Sequence, residues 1–236
     1  MKKFAGLLLF FTVAHVQGQD RAAIEAKARQ YVDTLTSEHF HGRGYVKDGD
    51  SLAAEYIAAQ FARIGLQPVK KDFFQPFNFN VNSFPDSMRV SIDGNELEPG
   101  LDLLVDPVSG SASGSFDIVH LTADALLSPE RRSMAMSVIT GKAIHIEWPA
   151  TTDQDSLQLF AELERDLMHY GPVLKKIEGK LTWSVGREAL PFPLIQISSD
   201  LLTDSSKTVD LSINSDLLVR HVARNVLGMA KGKSRD

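Results

Sequence analysis

"LTSEHFHGRGYVKDGDSLAAEYIAAQFARIGLQP", residues 35–68, carries the plainest structural signals in the chain. Leu52, Tyr56, Ile57, Phe61 and Ile64 recur at helical spacing, which predicts an amphipathic helix over Ser51 to Ile64. Asp50 stands where an N-cap carboxylate accepts a bond from a first-turn amide. At the other end Gly65 supplies a left-handed cap, Leu66 can fold back on the last turn, and Pro68 prevents continuation. Upstream, Ile24, Ala28, Tyr31 and Leu35 show the same spacing and predict a leader helix. Between the two helices lies "HFHGRGYVKDGD", residues 39–50, dense in groups that can do chemistry.

Those groups do not assemble into a reactive pattern. His39 and His41 face the same way on an extended segment, but a zinc site takes about three or four ligands and no His-Glu-x-x-His follows. They read as polar loop residues. Gly42-Arg43-Gly44 ahead of a helix suggests an anion nest, yet the dinucleotide fingerprint needs a preceding strand and a third glycine. Asp48 and Asp50 already occupy that helix end and repel a phosphate. Elsewhere, "GMAKGKS" at 228–234 is one residue short of a phosphate-binding loop. "GSASG" at 110–114 has Ala112 where a nucleophile elbow has serine. The acidic "ELERD" at 162–166 reads as a solvated helix face. The sequence thus offers no catalytic and no metal-ligating residues.

Beyond Pro68 the period changes. "KDFFQPFNFNVN" and "MRVSIDGNEL" alternate apolar and polar residues, with Asp93-Gly94 as a hairpin turn in the second. "VSGSASGSFD" reads as a flexible linker into a second unit. That unit is expected to hold strands near Phe116 to Leu121, Lys142 to Trp148, Leu181 to Val185 and Leu194 to Ile197. A helix is expected over Leu157 to Tyr170, closed by Gly171-Pro172, and a hairpin about Asn214-Ser215-Asp216. "NVLGMA" then reads as a buried strand near the end.

Composition narrows the class. Of 236 residues, 43% are hydrophobic and 23% charged, as in ordinary globular chains. A net charge of -5 without a basic cluster argues against a nucleic-acid partner. The absence of cysteine removes disulfides, thiolate metal sites and cysteine nucleophiles. Lys2-Lys3 followed by the apolar run Phe4 to Val16 has the form of a secretory signal peptide, residues 1–18, cleaved before Gln19. The run is too short to span a bilayer, so no membrane span remains after its removal and a periplasmic or secreted location is expected.

The 35–68 stretch resembles the N-terminal signature of secreted zinc aminopeptidases of metallopeptidase family twenty-eight. Leu35, Gly42, Arg43, Gly44, Tyr56, Ile57, Phe61, Gly65, Leu66 and Pro68 carry the likeness. It implies that Gly42, Arg43 and Gly44 form an inter-domain packing loop that does not bind metal. Two glycines permit a tight reversal, and an arginine between them can bridge to carbonyls or carboxylates. "GKAIHIEW" and "LPFPLIQIS" are similar to strands of the protease-associated (PA) unit inserted in many such enzymes. "ARNVLGMAKGKSRD" resembles the first strand on return to the peptidase domain.

What this implies is a mixed α+β chain. Residues 1–18 are the signal peptide, 19–108 an N-terminal helical pair with a β-hairpin region, 109–222 a β-rich PA-like domain, and 223–236 the start of an α/β peptidase domain. The family's zinc ligands begin with a His-x-Asp on the next strand and are not in this sequence. The expectation is therefore an exported, non-catalytic segment of a zinc-dependent aminopeptidase. Zinc belongs to the full-length protein and not to this chain, and the partners are the catalytic peptidase domain and a peptide or protein substrate. The rival expectations are a free-standing periplasmic PA-like module that binds peptide or protein, and a periplasmic domain without a ligand.

Overall fold

A computed structural model of the chain describes residues 20–232. The expected signal peptide, its cleavage point and the Lys-Ser end of "GMAKGKS" lie outside the described residues.

Helix α1 (Arg21–Leu35) starts at Asp20, whose carboxylate accepts from the Ala22 and Ala23 amides. After two short 3-10 turns, helix α2 runs over Gly49–Arg63. It begins two residues before the expected start. Asp48 is the cap residue and offers no side-chain bond, while Asp50 sits inside the first turn with its carboxylate turned to the imidazole of His221. The start moves because Gly49 lies flush under the turn: a Cβ there would stand 2.5 Å from the Phe40 carbonyl oxygen and 2.9 Å from that of Gly44. The C-terminus is as expected. Gly65 is left-handed at φ +85, its amide bonds the Ala62 carbonyl, and the Leu66 amide bonds that of Phe61. The fully buried face of α2 is lined by Ala53, Ala54 and Ala58. Leu52, Tyr56, Ile57 and Phe61 are half-buried beside them, and Ile64 is exposed.

A two-stranded ribbon stands beside α2. It pairs β2 (Phe74–Ser83) antiparallel with β11 (Asp216–Val226), interrupted by a bulge between Leu218 and His221. At that bulge Arg220 takes φ +59 and its amide bonds the Asn80 side chain. A minor pair joins β1 (Gln67–Pro68) to β12 (Gly228–Met229). "NVLGMA" is therefore paired, and it is exposed at Leu227 and Met229, where burial was expected.

Between the two ribbon strands the chain builds an eight-stranded sheet in the order β4-β3-β10-β6-β7-β8-β9-β5. Its strands are β3 (Arg89–Ile92), β4 (Asn95–Leu97), β5 (Leu103–Val105), β6 (Ala112–Thr122), β7 (Ala143–Glu147), β8 (Val173–Ile177), β9 (Leu194–Ser198) and β10 (Thr208–Ile213). The central four, β6 to β9, run parallel, and the flanking strands are antiparallel. Helices α3 (Ala123–Leu127) and α4 (Pro129–Ile139) supply the crossover from β6 to β7, α5 (Gln154–Leu167) that from β7 to β8, and an irregular segment that from β8 to β9. Residue parity divides the core. Ile144, Ile146, Val173 and Leu194 pack with Leu126, Ile139, Leu163 and Leu167 from the helices. Ala143, Leu174, Ile195 and Ile197 pack on the other face with Val209, Leu211 and Ile213.

Several expectations change here. The expected linker is built into the fold: Ser109 is fully buried, and β6 begins at Ala112. Its small residues permit close approach, since a Cβ on Gly110 would meet the Leu190 carbonyl oxygen at 2.0 Å. Leu181 to Val185 forms no strand, and Trp183 is exposed. Asn214-Ser215 is not a hairpin turn, because β10 pairs with β3 and β6 while β11 leaves to pair with β2. Helix α5 starts earlier than expected because the Asp153 carboxylate caps the Ser156 amide. The Asp93-Gly94 turn is as expected, with φ +48 and +81 between Ile92 and its partner Asn95. Its Asp93 carboxylate also accepts from the Lys207 and Thr208 amides, which hold its pKa below the usual range.

Gly49→Ala is expected to destabilise the chain by about 1–3 kcal/mol, because the added methyl has only backbone to displace. Urea unfolding measures this, and a change below about 0.5 kcal/mol contradicts the packing of Gly49 beneath the turn.

Candidate functional site

The turn at 39–50 is a packing device. Arg43 Nη1 donates to the Leu35 carbonyl at 2.6 Å and so ties the turn to the C-terminus of α1. His41, Arg43, Lys47 and Asp48 all adopt positive φ. Each such non-glycine residue costs on the order of 1 kcal/mol, so the surrounding contacts must fix the turn. Those contacts are aromatic. Phe40 packs edge-on against Tyr56 with ring centroids 5.6 Å apart. Tyr45 meets Phe79 at 5.7 Å and His221 at 5.1 Å, both on the ribbon. Burial, and next the Asp50 carboxylate, raise the Tyr45 phenol above its usual pKa. His221 Nε2 donates to Asp50 Oδ2 at 2.8 Å. Gly42, Arg43 and Gly44, expected at an inter-domain contact, lie in the turn between α1 and α2. Gly42 and Gly44 shape the turn, while Arg43 bonds within the chain. His39 packs edge-on against Phe40 and does not meet His41 in a ligand group.

Two polar groupings escaped the sequence reading. The first contradicts the solvated reading of "ELERD". Glu164 is buried, and it accepts from Trp148 Nε1 at 2.7 Å and Lys175 Nζ at 2.6 Å. Trp148 also stacks on Phe160 at 4.3 Å, so α5 is pinned to the carboxyl end of β7. Beside this pair a cleft of about 490 Å³ runs between α5 and the β5–β9 edge, bordered by Arg165, Lys175 and the exposed Trp183.

The second grouping lies on the opposite face of the sheet. His120 on β6 and His145 on β7 are register partners, each two residues from the end of its strand. Their ring centroids are 5.4 Å apart. Asp204, from the loop after β9, joins them, with one donor atom from each residue within 4.8 Å of the others. His145 Nδ1 bonds the Leu174 carbonyl at 3.0 Å and His120 Nε2 bonds the Ser206 carbonyl at 2.7 Å. A carbonyl only accepts, so both ring nitrogens carry the proton. His145 Nε2 is buried without a protein partner. Desolvation holds the His145 pKa below its ordinary value.

The resemblance implies zinc in the full-length protein and not in this chain; a two-zinc centre of that kind needs carboxylates to bridge and complete two coordination shells. Among the described residues, His120, His145 and Asp204 are the group of His, Asp and Glu donors that converges, and they offer three donors with a single carboxylate. These residues do not fit a two-zinc centre.

No protein-family model matches the chain, and neither does any curated protein. Among solved structures it is similar to an aminopeptidase from Aneurinibacillus sp. strain AM-1 (17% identity, TM-score 0.48, 88% of this chain and 49% of that one). It is similar to a Peptidase M28 precursor from Shewanella amazonensis SB2B (15% identity, TM-score 0.45, 87% and 53%). It is also similar to a zinc aminopeptidase from Bacillus subtilis (15% identity, TM-score 0.47, 88% and 48%). The chain spans about half the length of these proteins.

Lys175→Met leaves the Glu164 carboxylate buried with only the indole as donor. A broken buried pair costs about 3–5 kcal/mol, and a partner that is one-third exposed brings the expected loss to about 2 kcal/mol. Glu164→Gln in the Lys175→Met background keeps the indole bond and is expected to restore at least half of the loss in urea unfolding. Equal stability of the single variant and the wild type contradicts the pinning role of this pair.

Proposed function

We propose that this chain is the exported N-terminal segment, with its PA-like unit, of a zinc-dependent aminopeptidase, and that it supports peptide hydrolysis without performing it. The observation that carries the reading is the meeting of its two family-like stretches. Residues 35–68 and 224–230 are far apart in sequence, yet Pro68 pairs with Gly228 and Arg224 bonds Glu55 at 3.3 Å. A Cβ on Gly228 would stand 2.7 Å from the Phe61 ring, so the two stretches touch without a gap. Everything between them leaves through β2 and returns through β11, two strands bonded to each other. An inserted unit on a stem has this connectivity.

The stem and helices also expose apolar groups fitted to a protein partner. Ile64, Phe77, Val222, Leu227 and Met229 are each more than one-third exposed. The partner in this reading is the catalytic peptidase domain, and the zinc of catalysis belongs there. Among the described residues no helix is long and apolar enough to cross a membrane. The leader-like Lys2 to Val16 run supports export to the periplasm or medium. A free-standing peptide-binding module is the second reading, favoured by the cleft beside α5 with its exposed Trp183.

The test is the coding sequence beyond the Asp236 codon. A short apolar run and a His-x-Asp are expected within about ten to twenty residues, since ligands in α/β folds sit at the carboxyl ends of strands. A stop codon directly after Asp236, with no displaced frame encoding that pattern, overturns the reading in favour of the binding module.

A further inference from the structure

We infer that His120, His145 and Asp204 bind one divalent transition-metal ion of the zinc class, which fastens the 199–207 loop to the carboxyl ends of β6 and β7. The inference does not depend on the proposed function.

The two histidines are prepared as ligands. A metal-binding imidazole characteristically donates its second ring nitrogen to a carbonyl or carboxylate, which fixes the ring and leaves one lone pair for the ion. Both rings do this, His145 through the Leu174 carbonyl and His120 through the Ser206 carbonyl. The lone pair left on His145 belongs to Nε2, which has no hydrogen-bond partner on a side chain that is 1% exposed. A buried imidazole nitrogen without a partner is unfavourable, and a metal ion accepts its lone pair. Leu174 and Ser206 anchor the rings from β8 and from the loop that carries Asp204, so ligands and supports come from β6, β7, β8 and that loop.

The donor set selects the ion. Two neutral imidazoles and a carboxylate suit zinc and its transition-metal neighbours, whereas calcium and magnesium take oxygen ligands. Donors around zinc lie about 3.3 Å from one another for bonds near 2.0 Å. Here they are within 4.8 Å, so a modest contraction is required. Asp204 provides it, because its side chain is 72% exposed on a loop. It is held now by Lys176, whose Nζ donates to Asp204 Oδ1 at 3.2 Å. Lys176 is therefore a competitor, and the ion must displace its ammonium from the carboxylate. Three protein donors leave the fourth zinc position to water.

Zinc titration of the whole chain, freed of metal by chelator dialysis, tests the inference. Calorimetry is expected to find one zinc per chain with a Kd at or below the micromolar range, and cobalt(II) is expected to give the visible absorption of a low-symmetry site. Zinc is expected to raise Tm, because it binds the folded chain in preference to the unfolded one. Asp204→Asn, an exposed and isosteric change, is expected to weaken binding at least about tenfold, as is His120→Asn. Lys176→Met is expected to tighten it. The double variant His39→Asn/His41→Asn is expected to leave it unchanged. Absence of binding in the micromolar range overturns the inference. So does one-to-one binding that survives Asp204→Asn and His120→Asn, or that is lost with His39 and His41.

Discussion

The antiparallel pairing of β2 with β11 is the constraint on which the rest of the structure depends. It bonds residues as far as 150 positions apart, so the chain between them must form a closed excursion that returns to its starting point. The loop-closure cost of such an excursion grows only logarithmically with length, and a self-contained core repays it. That core is the eight-stranded sheet with its parallel centre, α-helices on one face and antiparallel strands closing over the other. The same pairing places His221 opposite the first turn of α2. Helix α2 and the turn before it are thus held to the ribbon by a carboxylate–imidazole bond, three aromatic rings and the Arg224–Glu55 pair.

Charge inside the sheet follows from the same geometry. Lys175 and Lys176 are neighbours on β8, so they point to opposite faces. Lys175 satisfies the buried Glu164 on the helix side, and Lys176 meets Asp204 on the side of the two histidines. One short strand therefore serves both polar groupings. A single residue of register slip on β8 would exchange the lysines and leave Glu164 without its cation.

Local chemistry was legible in the sequence, and long-range register was not. Gly65 with Leu66 and Asp93 with Gly94 were readable because caps and two-residue hairpins depend on conformations that few residues adopt. Asp50 was misread, since a carboxylate suited to capping serves equally as the partner of a distant imidazole. The linker reading failed at Ser109 and Gly110, because small residues mark flexibility in one context and close backbone packing in another. Strand β8 passed unread because only Val173 and Leu174 are apolar before the lysines begin. His120 and His145 each sit in a strand that was recognised, but only the parallel register of β6 with β7 puts them side by side. No spacing within the chain encodes that meeting.

The central claim is that α1, α2 and the ribbon form one platform from which residues 84–215 extend as a separately stabilised unit. Native-state hydrogen exchange of the wild type and of Asp50→Asn tests it directly. Asp50→Asn removes the carboxylate from its contact with His221 and is expected to speed exchange together in α2 and in β11 from His221 to Val226. Amides of β6 to β9 are expected to keep their wild-type rates. A uniform acceleration across platform and sheet, as from a single cooperative unit, would contradict the account, and so would unchanged protection of α2.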